Sequence, residues 1–403
     1  MATITKRNNS YLIRVSCGYD TNGQQIVKSM TWKPSTDAYM HPMSPKQIDK
    51  ELNRIAVEFE TKVQNGNYID TSNIKLYEFI EQYLDMADQF LAPTTKAFYI
   101  KVINNIIIPS LGHMKLKEIK PIHIQRFIQM LSGDGVRIDN KGNKLSPATV
   151  KRYLTVLKSI MSKAYKLELI ERNPTETAKL DIPETIETDI EVFTKEETAH
   201  LLSCLTNEPL MFQVIIHLAI VTGCRRGELV ALKWSNIDFS NKTVIITQSN
   251  YKLKGESVKS KTPKTKSSIR EIAIPDYLIE LLRVYHIEQI SEQMKMGDRW
   301  HNENWLFTQW DGRAIHPHTP TRQFSKFLDK NEIPHRKFHA LRHTSATLLL
   351  TSGTNIKTVA SRLGHTQLST TNRYVHALRD ADEAAAQTFE DLINPSETKK
   401  NHA

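Results

Sequence analysis

The stretch from His339 to Tyr374 gathers residue types able to act on a phosphodiester. It reads His339-Ala340-Leu341-Arg342-His343, then a helical run, then Leu363-Gly364-His365, and then Tyr374. An arginine presents a planar fork that matches two phosphate oxygens. An imidazole accepts or returns a proton near neutral pH. A tyrosine, with a free pKa of about 10, needs such help and nearby positive charge to become a nucleophile. A guanidinium, imidazoles and a phenol delivered from consecutive helix ends therefore suit attack by a tyrosine on a phosphodiester. The same spacing also fits two plain helical hairpins, and this window leaves both readings open.

The elements that must position these groups are legible around them. Arg342 lies one turn from His339, so the two side chains share a helix face. Residues 345–350 are small and apolar, suited to burying the opposite face. Gly353 ends that helix, where a left-handed cap is easiest. Asn355 opens a second short helix, and Gly364 closes it, which leaves His365 on a helix-terminal corner. Ser369 or Thr370 opens the helix that carries Tyr374. Upstream, the capping box Thr194-Lys195-Glu196-Glu197 starts the region. An apolar helix from Phe212 to Val221 stops at Thr222-Gly223-Cys224-Arg225-Arg226-Gly227-Glu228, and the next helix carries Leu229, Leu232 and Trp234. Residues 243–247 and 269–274 read as two strands of one small sheet. Between them, residues 252–270 hold seven basic side chains with Glu256 as the only acid, which fits a flexible basic hairpin.

Near the N-terminus, Tyr11, Ile13, Val15 and Cys17 alternate with polar residues, a half-buried strand. Asp20-Thr21-Asn22-Gly23 signals a turn, and residues 25–33 resume the extended pattern with Met30 and Trp32 on one face. Lys6-Arg7 adds a further short strand or a basic lead-in. Ser44-Pro45-Lys46-Gln47 caps a helix that turns Ile48, Leu52, Ile55, Ala56, Phe59 and Val63 inward. The exposed sheet face is expected to carry Arg14, Lys28 and Lys33, as a solvated basic surface or a DNA-reading one. After a polar linker at 64–73, four apolar stripes predict four helices, near 76–87, 99–107, 124–131 and 150–164. Lys96, Lys151, Arg152 and Lys158 could meet phosphates there or only solvate the surface. A second linker is expected at about 175–190.

Composition sets the class. A chain of 403 residues can form two or three domains. A net charge of +10 and a pI of about 9.2 favour a polyanionic partner. No apolar run reaches the roughly 20 residues of a membrane span, and no secretory pattern opens the chain. Cys17, Cys204 and Cys224 are widely spaced and odd in number, which points to a reduced cytosolic protein and away from a structural metal site. His339 and His343 are four apart on a helix, as in a zinc pair. Zinc chemistry is disfavoured because no glutamate follows His339 and Arg342 stands between the histidines.

Thr222-Gly223-Cys224-Arg225 with Glu228, Pro263-Lys264-Thr265, His339-x-x-Arg342, Leu363-Gly364-His365 and Tyr374 together resemble the tyrosine recombinase (integrase) family, in its order and at similar separations. A Thr-Gly-x-Arg turn alone is commonplace; five motifs in register are specific. The resemblance covers the last region firmly and the four-helix region moderately. The N-terminal sheet and helix resemble, by pattern more than motif, the arm-site-binding domain of integrases from temperate phages and conjugative transposons.

The resemblance implies an α+β multidomain fold. It comprises a small three-stranded sheet plus helix at 1–66, a four-helix core-site-binding domain at 74–168, a mostly α catalytic domain with a small antiparallel sheet at 190–385, and a tail at 386–403. It implies that Arg225 and Arg342 clamp the scissile phosphate, that Tyr374 attacks to leave a 3′-phosphotyrosyl enzyme, and that Lys264 protonates the leaving 5′-oxygen. Lys261 and Lys266 flank Lys264 as rivals for that role; Lys266 and Arg226 are otherwise assigned to DNA contact. His339 would help move the tyrosine proton, His365 would donate to a phosphate oxygen, Glu228 would support Arg225 or the His339 region, and His343 would pack or support its neighbours. No cofactor or metal is implied. The implied partners are double-stranded DNA at core-type and arm-type sites, a homotetramer on that DNA, an excision factor and a host DNA-bending protein, in the bacterial cytoplasm at the nucleoid. A strand-relaxing type IB topoisomerase, a chromosome-dimer resolving recombinase and a non-catalytic DNA-binding regulator are the alternatives; the separate N-terminal module and the complete residue set favour a recombinase that integrates and excises a mobile element.

Overall fold

The computed structural model describes residues 2–19, 25–34, 43–64, 74–137, 144–176, 180–185, 190–262, 269–365 and 367–375. The turn at Asp20–Gly23, the linker expected at 64–73 beyond its first residue, Lys264, Lys266 and the tail lie outside the described residues. The chain divides into two compact units, Met1–Ile186 and Glu187–Ala403. Its α+β class is the one expected: small antiparallel sheets among helices.

The first unit contains two separate apolar cores. One lies under an antiparallel sheet of β1 (Thr3–Arg7), β2 (Ser10–Tyr19) and β3 (Gln25–Trp32), in that order. Asn8, at φ 43°, makes the tight turn between β1 and β2, a conformation asparagine tolerates better than most residues. The Pro45–Gln64 helix packs Leu52, Ala56 and Phe59 on Ile13 and Val15. Its start is a reciprocal cap, in which the Ser44 N–H donates to Gln47 Oε1 and the Gln47 N–H to Ser44 Oγ.

The register corrects one expectation. Lys28 pairs directly with Val15, and paired residues project to the same side of a sheet. Lys28 therefore shares the helix-facing side with Val15, Met30 and Trp32, while Arg14 and Lys33 are exposed. The strand's own parity contained this: 28, 30 and 32 are alternate positions.

The second core belongs to helices Leu76–Ala87, Pro93–Val102, Pro121–Ser132 and Pro147–Lys166, three of which begin on proline. The second of these continues through a π turn at Ile103–Ile107 into Ile108–Leu111. The π turn reorients the apolar stripe, so that Val102, Ile103, Ile106 and Ile107 are all buried.

In the second unit a mostly apolar helix, Leu210–Thr222, runs through the core between Asp276–Met296, Thr319–Lys330 and Ala340–Thr351. A three-stranded sheet of β4 (Ile237–Asp238), β5 (Thr243–Ile246) and β8 (Arg270–Ala273) lies in the order β4-β5-β8. The short β4 went unread because two residues carry no period. Between β5 and β8 the chain forms a second hairpin, β6 (Ser249–Tyr251) with β7 (Lys259–Lys261). Helices Ile356–Leu363 and Leu368–Val375 close the unit and enclose a small cluster of Ala346, Val359, Leu363 and Tyr374.

Candidate active site

Two helix ends converge because glycine lets each stop sharply. Gly223 caps Leu210–Thr222 at φ 61°, and Gly364 caps Ile356–Leu363 at φ 68°. A Cβ on Gly223 would stand 2.4 Å from Leu363 Cδ2, so close approach demands glycine there as well as the backbone angle. The last carbonyls of these helices lack intrahelical partners and carry the negative end of the helix dipole. Arg342, 2% exposed, lies between them and donates from Nη1 to the Gly223 carbonyl at 2.6 Å and from Nη2 to the Leu363 carbonyl at 2.8 Å. A guanidinium has five N–H donors. The two carbonyls fix its plane and leave donors for a further acceptor. Burial first, and then the Arg225 charge, bring the Arg342 pKa down to about 10.

Arg225 follows the Gly223 cap. Its backbone N–H donates to Glu228 Oε2 at 3.0 Å and its Nη1 to Oε1 at 2.9 Å, with the side chain still 45% exposed. Glu228 is buried and also accepts from Arg270 Nη2 at 2.7 Å. Burial pushes the Glu228 carboxyl up, yet the hydrogen bond and charge of Arg270, with those of Arg225, hold it below the usual carboxylate range. Arg270 donates through Nε to the Arg362 carbonyl at 2.8 Å, and Arg362 Nη2 reaches the Val221 and Ala273 carbonyls at 3.0 and 2.9 Å. Two buried or half-buried arginines thus lace β8 to the ends of both helices. Sequence reading placed Arg270 where the basic hairpin meets the second strand and missed its pairing with Glu228, since spacing alone cannot tell a buried guanidinium from a solvated one.

The imidazoles and the phenol meet on the other side of Arg342. Tyr374 is 3% exposed and its hydroxyl is 2.8 Å from His343 Nδ1. The His343 ring packs edge-on against His339, with centroids 4.7 Å apart at 82°. The His365 ring stacks with Tyr374 at 6.3 Å and 9°, and its Nδ1 is 2.9 Å from Thr371 Oγ1. Burial, then the charges of Arg342 and Arg225, lower the His339 pKa; the same causes in the same order bring His365 down to about 4. Both rings are therefore neutral at pH 7. Arg225, His339, Arg342, His343, His365 and Tyr374 line one open cleft of about 720 Å³, with Glu191 and Lys337 at its rim.

Of the six residues given catalytic roles, the structure brings five into this cleft: Arg225, His339, Arg342, His365 and Tyr374. Lys264 lies outside the described residues. The other assignments fare unevenly. Arg226, expected on the surface facing DNA, is half-buried, donates from Nη1 to Thr321 Oγ1 at 2.9 Å and meets His318 Nδ1 at 3.1 Å. Lys96 pairs with Asp88 at 2.8 Å, and Arg152 stacks over Phe98 at 3.9 Å. Lys151 is exposed and Lys158 half-exposed. A basic cleft of about 370 Å³ in the helical module, lined by Lys101, Arg137 and Lys144 among others, was not foreseen. Among the described residues, no cluster of three or more His, Cys, Asp or Glu could hold a metal ion, and no helix is long and apolar enough to cross a membrane.

Comparison with known proteins gives the family. Residues 191–380 match the phage integrase family, and residues 75–132 match the N-terminal SAM-like domain of phage integrases. A XerC-like tyrosine recombinase of Caldanaerobacter subterraneus is 32% identical, over 95% of this chain and 96% of the relative. The ICEBs1 integrase of Bacillus subtilis is 28% identical, over 92% of this chain and 98% of its own. The Tn1549 transposon integrase, solved with a circular intermediate DNA, superposes with a TM-score of 0.64 at 19% identity, over 79% of this chain and all of that one. A lambda integrase dimer on a core site superposes at 0.52 and 18% identity, over 75% of this chain and 95% of that one; both are likenesses of fold. The chain belongs to the tyrosine recombinase (phage integrase) family and is a tyrosine site-specific recombinase.

Proposed function

We propose that this recombinase integrates and excises a mobile element by cutting and rejoining DNA through a 3′-phosphotyrosyl intermediate on Tyr374. The observation that carries the reading is the single cleft holding two arginines, neutral imidazoles and the tyrosine. Arg225 and Arg342 would grip the non-bridging oxygens of the scissile phosphate. Their planes are already set by Glu228 and by two helix-end carbonyls, so little reorganisation is needed as charge develops. With Nδ1 accepting from the Thr371 hydroxyl, His365 would present Nε2–H to a phosphate oxygen. Tyr374 attacks phosphorus, the P–O5′ bond breaks, and Lys264 supplies the proton to the leaving oxygen. A partner strand's 5′-hydroxyl reverses the step, and the phosphotyrosine conserves the bond energy throughout.

The domain roles follow the same reading. Residues 1–66 would hold arm-type sites, 74–168 core-type sites and 190–385 the chemistry, with 386–403 a tail. Arg14, Lys33, Lys151, Arg152 and Lys158 remain the proposed phosphate contacts, joined by the cleft at Lys101, Arg137 and Lys144. Exchange between two duplexes calls for four active subunits, so the working form is a homotetramer on DNA. It would act in the bacterial cytoplasm at the nucleoid, aided by an excision factor and a DNA-bending protein. The test is recombination of two labelled duplexes carrying the element's junction sites, run in chelator. Recombinant products are expected from wild type and none from Tyr374→Phe. Relaxation of a supercoiled plasmid with no recombinants would favour a topoisomerase instead.

A further inference from the structure

Tyr374 must lose a proton to attack, and an imidazole within hydrogen-bond distance of its hydroxyl is that of His343, one residue past the His-x-x-Arg motif. His339 belongs to the His-x-x-Arg pattern, yet its ring meets His343. The Tyr374 hydroxyl instead lies 2.8 Å from His343 Nδ1, with the two rings 5.4 Å apart at 47°. His343 follows Arg342 by one residue, so the helix that presents the guanidinium to the phosphate also presents this imidazole to the nucleophile. Tyr374 is held from the other side by the stacked ring of His365 and by the small cluster of Ala346, Val359 and Leu363. These contacts hold the phenol with its oxygen within hydrogen-bond distance of His343 Nδ1.

We infer that His343 is a catalytic residue of this enzyme, the base that takes the Tyr374 phenolic proton. The inference rests on the reading of Tyr374 as the nucleophile. As Tyr374 Oη forms its bond to phosphorus, the O–H bond breaks and the proton passes to Nδ1; the electron pair of the breaking P–O5′ bond leaves with O5′, which takes its proton from Lys264. In the rejoining step the imidazolium returns its proton to the departing phenolate. His339 then acts through His343, by packing the ring that must keep Nδ1 on the phenol. The groups that share the cleft with His343 are Glu191, Arg225, Lys337, His339, Arg342 and His365, besides Tyr374. Burial and the charges of Arg342 and Arg225 lower the pKa of both His339 and His365.

The test is single-turnover formation of the covalent adduct on a nicked duplex whose scissile 5′-bridging oxygen is replaced by sulfur. A thiolate leaves without a proton, so the pH profile on this substrate isolates removal of the phenolic proton. Wild type should lose rate as pH falls through the range where an imidazole is protonated. His343→Gln fills the same space and can hydrogen-bond but not take a proton. It should bind the duplex as wild type does, form adduct about 100-fold more slowly, and show no acidic limb. His343→Ala should do the same, with the glutamine variant carrying the test if the alanine variant folds poorly. A glutamine variant that keeps the wild-type rate and acidic limb would reduce His343 to packing, and a faster one would make it a latch; either result overturns the inference. Absence of a Tyr374-dependent adduct in wild type would overturn the reading of the nucleophile itself, which is a separate and visible failure.

Discussion

At Arg342, a lysine could not replace what the fold provides. The guanidinium spans two helix-end carbonyls 2.6 and 2.8 Å away and still has donors to offer a phosphate, whereas an ammonium is a point charge on a flexible stem. Arg342→Lys should lower adduct formation about 10²- to 10³-fold under single-turnover conditions, with duplex affinity within a few-fold of wild type. Glu228 is the buried acid that two arginines share. Glu228→Gln leaves the Arg270 charge without its counter-ion and should cost about 3–5 kcal/mol in chemical denaturation. The folded pKa of Glu228 lies below its unfolded value, so its contribution is complete above the unfolded carboxylate pKa and is lost as pH falls through the folded one. The glutamine variant should therefore lose part of the wild type's acid sensitivity. His343 marks the limit of reading residues from sequence. Its type and position were visible, but the i+1 step from Arg342 said nothing of which imidazole the phenol would meet; that depends on the placement of the helix carrying Tyr374, 31 residues along the chain.

Elements announced themselves where local chemistry decides. The Ser44, Thr194 and Asn355 caps and the glycine ends at 223, 353 and 364 all stand where their residue types suggest. The π turn at Ile103–Ile107, the two-residue β4 and the side of the sheet taken by Lys28 were lost, each because a fixed period was assumed or misapplied. Gly223 shows what such an element supports. Gly223→Ala combines an unfavourable backbone angle with a contact on Leu363 Cδ2 and should lower stability by about 2–4 kcal/mol. It should also slow cleavage, because the displaced carbonyl is one of the two that orient Arg342; calorimetry and the adduct assay check the two effects together. The neutral imidazoles give a second sign. The folded pKa values of His339 and His365 lie below the free value, so the unfolded chain binds protons first. Their presence should erode stability as pH falls from about 6.5 towards the folded values, about 4 for His365, with no further loss from His365 below that.

For the whole molecule, charge is the organising quantity. The net charge of +10 was open to reading from composition. What composition hid is that Arg225 and Arg270 both pair with Glu228, the only buried carboxylate among the described residues, and that Arg342 lies close enough to feel its charge. Such a site is under-neutralised until a phosphate enters it. Millimolar inorganic phosphate should raise the melting temperature of the protein, and by less in Arg342→Lys, in line with linkage. A rise equal in the two proteins would place the anion elsewhere. Duplex affinity should fall steeply and linearly in the logarithm of salt concentration, a slope that counts phosphate contacts.

That Tyr374 carries the DNA during exchange is the proposal on which the whole mechanism turns. It is tested most directly by trapping the adduct on a nicked duplex, digesting it with protease and sequencing the DNA-linked peptide by mass spectrometry. A single linked peptide, modified on Tyr374 through a 3′-phosphate, is expected, and none from Tyr374→Phe. Attachment at Tyr251 or any other residue, or an adduct that survives Tyr374→Phe, would contradict it.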